Sequence, residues 1–485
     1  MSERRAFLGT LAMGAAQVVK LGLQFAVLPV LARILGPSSY GLVALAMPFI
    51  LFANMITDAG LGNALVRNAD PSKALQSTIF WLSLLICVVL VGVLALAAWP
   101  AGQLLSEPRI APILWALTPI LLVSGSLSVA NAAIMRERRF AVFALSDTVS
   151  SIVAAVVAIA AALHGYGAWS LVIQQLVLWG IKAVWIQWAA GFVPTFEFRP
   201  SLARPHIAFG LNVSAANIAD FASKNAPQLI VGAFLGVTAV GRYAMGFQLT
   251  RMPDAIITGP IYLAVFTAVA RLGDDRAAIM AMASRVLRGV TIGLAPVFAG
   301  LALVADLAVQ LMLGSKWLGA IPVLILLCPA GFLLCFFSII SAVLMGVGRA
   351  ELQLKLTVLS GLAMGGGAFV GAHFSDAGVA VGLSLGAIVV TPAYIATLAK
   401  ALDARALPLA GQFAPALVAT LAMTLCVALV RSLIGHWAPW AQLGAAAGAG
   451  VLSYGAVLLV LSGRAMIDDI RMVLPGRGGP QPEMS

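Results

Sequence analysis

The sequence predicts an all-α integral membrane protein, and three observations support this fold class. Of its 485 residues, 61% are hydrophobic and only 10% are charged, whereas soluble domains average about 25% charged residues. The mean hydropathy of +1.03 leaves too little polar surface to cover a soluble core. The apolar runs are continuous and near 20 residues long, the length that a helix needs to cross a bilayer, whereas barrel strands would alternate apolar and polar residues.

Charges, prolines and glycines divide the chain into about fourteen predicted transmembrane helices. The first seven spans are 8–32, 41–66, 74–100, 110–134, 140–163, 166–190 and 206–235. The other seven are 241–268, 289–313, 318–345, 353–374, 377–399, 411–434 and 439–463. The connections are too short to hold a folded domain outside the membrane.

The basic residues predict the topology of these spans. If the N-terminus is cytoplasmic, 20 of the 29 Lys and Arg side chains lie on the cytoplasmic side, five lie on the other side and four lie within spans. Lys and Arg collect in cytoplasmic loops of membrane proteins. The bias therefore predicts an even number of helices, with both termini in the cytoplasm, and it accounts for the net charge of +11 without a nucleic-acid partner.

An internal repeat at an offset of 200 residues predicts two lobes. Leu35-Gly36, Gly41 and Ala44 match Leu235-Gly236, Gly241 and Ala244. Six predicted helices separate the copies, so both have the same orientation, as in repeats related by an axis along the membrane normal. We expect two pseudo-twofold six-helix lobes, 1–200 and 201–405, around a central cavity, then two additional helices in 406–465 and a disordered cytoplasmic tail in 466–485.

Polar side chains recur at helical spacing within four of the spans. The stripes are Gln17, Lys20 and Gln24; Asn54 and Asp58; Asn217, Asp220 and Lys224; and Arg251, Asp254 and Thr258. The second and fourth stripes are related by the offset of 200, as are the first and third. Residues spaced three, four or seven apart share one helix face, so each stripe is predicted to face a single direction.

The free-energy cost of placing charged side chains in lipid decides which way these stripes face. Each ionisable side chain costs about 2.5–3.5 kcal/mol at a lipid-facing helix centre, and seven lie well inside spans: Lys20, Asp58, Lys182, Asp220, Lys224, Arg251 and Asp254. Their sum exceeds the stability of a typical domain, so they are expected to face protein or water. A hydrated central cavity is one explanation. Neutral helix pairs, such as Asp220 with Lys224, and hydrogen bonds between helices are the alternative.

The motifs of other protein classes are absent from the sequence. There is no phosphate-binding loop for ATP, and the four histidines and four cysteines have no metal-ligand spacing. No catalytic Ser/His/Asp or Cys/His set can be argued either. The sequence therefore predicts neither an enzyme nor a cofactor.

Residues 31–67, LARILGPSSYGLVALAMPFILFANMITDAGLGNALVR, resemble a known family. They are similar to the polysaccharide-transport branch of the multidrug/oligosaccharidyl-lipid/polysaccharide exporter superfamily, the flippases of O-antigen, capsule and exopolysaccharide. Secondary similarities are 311–320, LMLGSKWLGA, and 131–140, NAAIMRERRF. The resemblance implies a secondary transporter that works by alternating access. It also implies a substrate, an undecaprenyl-pyrophosphate-linked oligosaccharide, moved from the cytoplasmic to the periplasmic leaflet of the bacterial inner membrane.

Roles for the stripes follow as a hypothesis. The cations Lys20, Lys224 and Arg251 would attract the pyrophosphate. The amides Gln17, Gln24, Asn54 and Asn217 would form hydrogen bonds with sugar hydroxyls. The carboxylates Asp58, Asp220 and Asp254 are candidates for coupling to a cation or proton. Expected partners are membrane lipids and, in the same pathway, polysaccharide polymerase and chain-length proteins.

Three alternatives remain open on the sequence. A drug/cation antiporter of the same fold would export small organic cations. A peptidoglycan-precursor flippase would move a different lipid-linked sugar. A polymerase or ligase of lipid-linked glycans would be expected to have a sizeable periplasmic loop with polar catalytic residues, and the predicted outside loops are short.

Overall fold

The computed structural model describes residues 22–23, 25–57, 65, 71–404 and 413–473, and the side chains of 200–220, 222–223 and 462–473 are not described. These ranges are mostly helical, with turns and short connections between the helices, and they contain no β-strand. The first eight helices are α1 (Phe25–Ile34), α2 (Pro37–Thr57), α3 (Lys73–Leu104), α4 (Ile110–Leu117), α5 (Pro119–Arg136), α6 (Phe140–Leu163), α7 (Ala168–Ala190) and α8 (Pro200–Pro253).

A π-helical turn, Asp254–Thr258, joins α8 to the next helix. The later helices are α9 (Gly259–Leu272), α10 (Arg276–Leu303), α11 (Ala305–Met312), α12 (Ile321–Gly346), α13 (Ala350–Ala372), α14 (Asp376–Ala401), α15 (Ala414–Leu433) and α16 (Pro439–Val473). A 3₁₀ turn, Ser315–Ala320, lies between α11 and α12.

The number of apolar helices agrees with the predicted count of about fourteen. Within the described ranges, twelve helices are long and apolar enough to cross a membrane. One of them contains two spans, because the backbone of α8 leaves the helical region at Gly236, with φ 76° and ψ 178°. A positive φ of this kind favours glycine. With the shorter apolar helix α1, these spans make fourteen.

Several helix boundaries differ from the prediction, and three of the differences are informative. Helix α10 begins at Arg276 rather than at residue 289, because the Asp275 side chain caps its first turn by accepting a hydrogen bond from the Ala278 N–H at 2.9 Å. The predicted span 110–134 is two helices, α4 and α5, that meet at Thr118, before a proline. Helix α16 continues to Val473, past residue 466, where the tail was expected to start.

The described chain divides into two compact units. The first contains the described residues up to Phe247 together with Met312–Val323 and Thr357–Gly386. The second contains Gln248–Leu311, Leu324–Leu356 and the described residues from Ala387 onward. In the first unit, α2 packs against α3, α4, α5 and α7, and α6 packs against α7. In the second, α10 packs against α15 and α16.

Small residues set the distance between α13 and α14 in the first unit. A Cβ atom added at Gly367 would overlap the carbonyl oxygen of Gly382, and one at Gly371 would overlap that of Gly378. Small residues four apart allow membrane helices to approach backbone to backbone. The helices are therefore held at a separation that only glycine at these positions permits.

We expect Gly367→Ala to destabilise the protein by about 1–3 kcal/mol, the usual cost of overpacking. Gly366→Ala is the matched control, because no heavy atom lies within 4 Å of a Cβ atom placed there. Denaturant unfolding in detergent micelles would compare the two variants. Equal stability of both would contradict the close packing.

Candidate functional site

The structure describes the side chains of four of the ten predicted site residues. Gln17, Lys20, Gln24 and Asp58 lie outside the described residues. Asn217 and Asp220 lie on α8, but their side chains are not described. The described side chains are those of Asn54, Lys224, Arg251 and Asp254.

Asn54 and Lys224 lie at the same end of a pair of antiparallel helices. Helix α2 runs against the first half of α8, since the Gln228 Nε2 donates to the Ala44 carbonyl and the Phe52 and Phe221 rings lie 5.8 Å apart. Both site residues are within one helical turn of the aromatic contact. Lys224 is exposed, whereas Asn54 is half-buried.

The Asn54 amide oxygen is an unusual feature of this helix pair. Its Oδ1 is buried and has no hydrogen-bond partner among the described residues. A buried polar atom without a partner costs about 1–3 kcal/mol, and such atoms in native proteins normally bind water or a ligand. The position is therefore suited to receive a hydrogen-bond donor.

The fourth stripe contains a break in helical geometry. Arg251 is exposed near the end of α8, and Asp254 is half-buried at the start of the π-helical turn. π-Helical turns are rare and frequent at functional sites. The Thr258 hydroxyl, which ends this turn, is buried next to the Cys335 side chain.

Sequence reasoning missed a set of contacts at the end of the first unit that is predicted to be periplasmic. Three side chains donate across it to carbonyls at helix ends: Arg33 Nε to Met312 at 3.3 Å, Lys316 Nζ to Ile34 at 2.8 Å, and Trp317 Nε1 to Ala32 at 2.8 Å. The last carbonyls of a helix have no partner within it, so these side chains cap α1 and α11 reciprocally. We call Arg33, Lys316 and Trp317 the seal.

The seal is packed as well as hydrogen-bonded. The Trp317 side chain is fully buried, and the Tyr40 ring meets it edge to face with 5.4 Å between ring centroids. Trp317 and Lys316 belong to the 311–320 segment that carried part of the family resemblance. That segment was the available signal, but its contact with α1 could not be derived from it.

The two copies of the repeat meet beside the seal. A Cβ atom at Gly41 would overlap the carbonyl oxygen of Val237, and one at Gly241 would overlap that of Pro37. Each pair of contacts is related to the other by the offset of 200 residues. A reciprocal contact of this kind is what a two-fold axis produces, so the repeat found in the sequence has a structural counterpart.

An ion pair completes this end of the first unit. Arg242, next to Gly241, donates from Nε to Asp376 Oδ2 at 2.5 Å, and Asp376 is the first residue of α14. The Asp376 side chain is only 14% exposed. A charge-assisted hydrogen bond to a nearly buried carboxylate is among the stronger polar contacts, so this pair ties α8 to α14.

A family model described as polysaccharide biosynthesis protein matches residues 30–322 of the chain. The chain belongs to this family. The match spans α1 to the start of α12, and it therefore includes the seal, the Gly41–Gly241 contact and the polar residues Asn54, Lys224, Arg251 and Asp254.

Two curated relatives are similar over most of their length. The succinoglycan biosynthesis transport protein ExoT of Rhizobium meliloti is 27% identical over 351 residues, which are 72% of this chain and 71% of ExoT. The lipopolysaccharide biosynthesis protein WzxC of Escherichia coli is 24% identical over 381 residues, which are 77% of this chain and 76% of WzxC.

Solved structures confirm the predicted fold. The lipid II flippase MurJ, in an inward closed conformation, matches with a TM-score of 0.76 and 11% identity, covering 95% of this chain and 100% of MurJ. An inward-facing multidrug transporter of the MATE family matches with a TM-score of 0.63 and 16% identity, covering 82% of this chain and 98% of the transporter. The chain is thus a multi-pass membrane protein with the two-lobe fold of these transporters.

We expect Arg242→Gln to lower the free energy of unfolding by about 1–3 kcal/mol, because it leaves the poorly exposed Asp376 carboxylate without its charged donor. Arg199→Gln is the control. Arg199 lies 3.7 Å from Glu197, but the two side chains are 65% and 53% exposed, and exposed pairs contribute little. Chemical denaturation of both variants checks this, and an equal loss would contradict a special role for the Arg242 pair.

Proposed function

We propose that this protein is a flippase for lipid-linked oligosaccharides. Its substrate would be an undecaprenyl-pyrophosphate-linked polysaccharide repeat unit, moved from the cytoplasmic to the periplasmic leaflet of the bacterial inner membrane. Family membership and the names of ExoT and WzxC support polysaccharide synthesis as the process. The observation that supports transport is the seal, which joins segments from both halves of the repeat at one end of the first unit.

The seal suits a gate that opens and closes. It consists of three hydrogen bonds to helix-end carbonyls and the edge-to-face contact of Trp317 with Tyr40. The Arg242–Asp376 ion pair and the Gly41–Gly241 contact lie beside it. The carbonyls lie at helix ends near the predicted membrane surface, where water can replace the donors when the contacts separate. An alternating-access transporter needs contacts of this kind, which hold one side shut and can be exchanged for water.

Substrate recognition is assigned to the polar stripes. Lys20, Lys224 and Arg251 would attract the pyrophosphate, and Gln17, Gln24, Asn54 and Asn217 would bind sugar hydroxyls. The exposure of Lys224 and Arg251 supports a role in contacting solvent or substrate. The unpartnered Asn54 oxygen supports a hydrogen bond to a hydroxyl that arrives with the substrate.

Ion coupling is assigned to Asp58, Asp220 and Asp254. A carboxylate in a membrane span can gain and lose a proton as its exposure to water changes. Asp254 is half-buried at the π-helical turn, where a local change in helix geometry would alter its surroundings. This arrangement supports coupling of the transport cycle to a proton or another cation.

The proposed orientation places both termini in the cytoplasm. The periplasmic product would pass to a polysaccharide polymerase and chain-length proteins. The relatives favour this function over a drug/cation antiporter or a membrane enzyme, because they align with more than two thirds of the chain and are named for polysaccharide synthesis or its transport. The likeness to MurJ is one of fold, and it does not favour peptidoglycan precursors.

Replacing Lys20, Lys224 and Arg251 together by Ala should reduce surface polysaccharide roughly tenfold or more, since each charge-assisted contact to a phosphate contributes about 1.5–3 kcal/mol. The assay uses a strain that lacks the gene, complemented with the variant at normal protein levels. Replacing the exposed residues Lys355 and Lys400 by Ala is the charge control. Normal polymer in the triple variant would remove these residues from the mechanism.

Asp254→Asn should abolish the response of transport to a proton gradient while leaving slow movement down a substrate gradient. Proteoliposomes with a fluorescent undecaprenyl-pyrophosphate oligosaccharide would show both rates, with and without an imposed pH difference. Asp274→Asn, at an exposed position between α9 and α10, is the matched control. A gradient response equal to that of the wild type would exclude Asp254 as the coupling group.

A further inference from the structure

The first unit contains a cavity that none of the polar stripes explains. It lies among α5, α6 and α7 and has a volume of about 240 Å³. Its lining residues are Ser124, Leu127, Asn131, Met135, Phe143, Trp179 and Lys182. This volume is below the 300–1,000 Å³ of pockets for drug-sized ligands, and it equals the volume of about eight water molecules.

One residue that lines the cavity, Lys182, belongs to a neutral ion pair. The Lys182 Nζ lies 2.7 Å from Asp147 Oδ1, and the two side chains are 24% and 33% exposed. The pair accounts for Lys182, the intramembrane cation outside the repeat, as an interhelical contact between α6 and α7. Because the charges cancel, the site does not favour a phosphate or a free cation. The Lys182 ammonium carries three N–H groups, so it can donate a further hydrogen bond to a group in the cavity.

Helix α5 contributes a hydrogen-bond acceptor to this part of the molecule. The Asn131 Oδ1 is buried and has no hydrogen-bond partner among the described residues. A hydroxyl group entering the cavity would supply the missing donor. Ser124 lies seven residues, or about two helical turns, earlier on α5 and adds a further hydroxyl to the lining.

An aromatic ring stands beside these polar groups. The Trp179 ring centroid lies 5.8 Å from the Lys182 Nζ, and Leu127, Met135 and Phe143 supply the rest of the apolar lining. A sugar ring has the complementary character, with an apolar face of C–H groups and an edge of hydroxyls. A large aromatic side chain with a polar edge suits a ligand of that mixed kind.

The depth of the cavity fits a substrate that enters from the cytoplasm. Asp147 is seven residues from the start of α6 and Lys182 is eight from the end of α7. At 1.5 Å per residue both lie about 10–12 Å from helix ends that are predicted to be cytoplasmic. The basic residues Arg136, Arg138 and Arg139 mark those ends.

We propose that this cavity binds one neutral pyranose ring of the oligosaccharide, at a site separate from the polar stripes. The proposal rests on the proposed function for its substrate class. Asn131 accepts a hydrogen bond from one sugar hydroxyl, Lys182 donates to another, and Trp179 packs against the apolar face. The neutral pair selects an uncharged sugar, whereas the pyrophosphate binds elsewhere.

Saturation-transfer NMR on the full-length protein in nanodiscs tests this site, with methyl glycosides of glucose, galactose, mannose and N-acetylglucosamine as probes. We expect saturation of at least one glycoside by the wild type. In Asn131→Leu, which removes the acceptor at similar volume, the dissociation constant should rise about fivefold, as the loss of one hydrogen bond predicts. Trp179→Leu should weaken binding independently, and thermal unfolding confirms that each variant is folded.

Gln103→Leu, at an exposed position at the end of α3, is the matched control. Binding that persists in Gln103→Leu but weakens in Asn131→Leu supports the cavity. The reverse pattern, or no binding of any glycoside to the wild type, overturns it, and neither result affects the polysaccharide assay of the proposed function. If Asn131→Leu does not fold, Ser124→Ala takes its place, and unchanged binding in that variant and in Trp179→Leu overturns the proposal.

Discussion

The last carbonyls of a helix have no partner within the helix, and this constraint explains the arrangement at the end of α1. A buried carbonyl that is left without a donor costs about 1–3 kcal/mol. Trp317 and Lys316 cap α1, while Arg33, from α1, caps α11. Each segment thus supplies hydrogen-bond donors to the last carbonyls of the other. When the two segments are apart, these carbonyls lose those donors.

The glycine contact follows from the same geometry. Reciprocal capping requires α1 and α2 to lie close to the segments after residue 236, and a side chain at Gly41 or Gly241 would collide with backbone. Small residues therefore occupy the point where the two copies cross. The repeat preserves these glycines because both copies meet the same steric limit at the same axis, whereas the surrounding side chains differ freely.

Most of the fold could be predicted because it depends on local properties of the chain. The apolar runs indicated the helices. The predicted break between residues 235 and 241 coincides with Gly236, where the backbone of α8 leaves the helical region. The start of α10 was missed because the arginines after Asp275 were assigned to a loop, although Asp275 was available as a cap. The stripes could be found by their spacing. The bond from Trp317 to Ala32 could not, since it joins residues 285 apart, and no periodic pattern reports such a pairing.

The unpartnered Asn54 oxygen shows a position where the chain gives up stability. Asn54 belongs to one of the polar stripes, and its buried amide oxygen has no partner among the described residues. An apolar residue of similar size at this position would remove a cost of about 1–3 kcal/mol. A chain selected for stability alone has no use for such groups. A transporter does, because a site that binds its substrate for only part of the cycle must leave its hydrogen-bonding groups unpaired, or bound only to water, for the remainder.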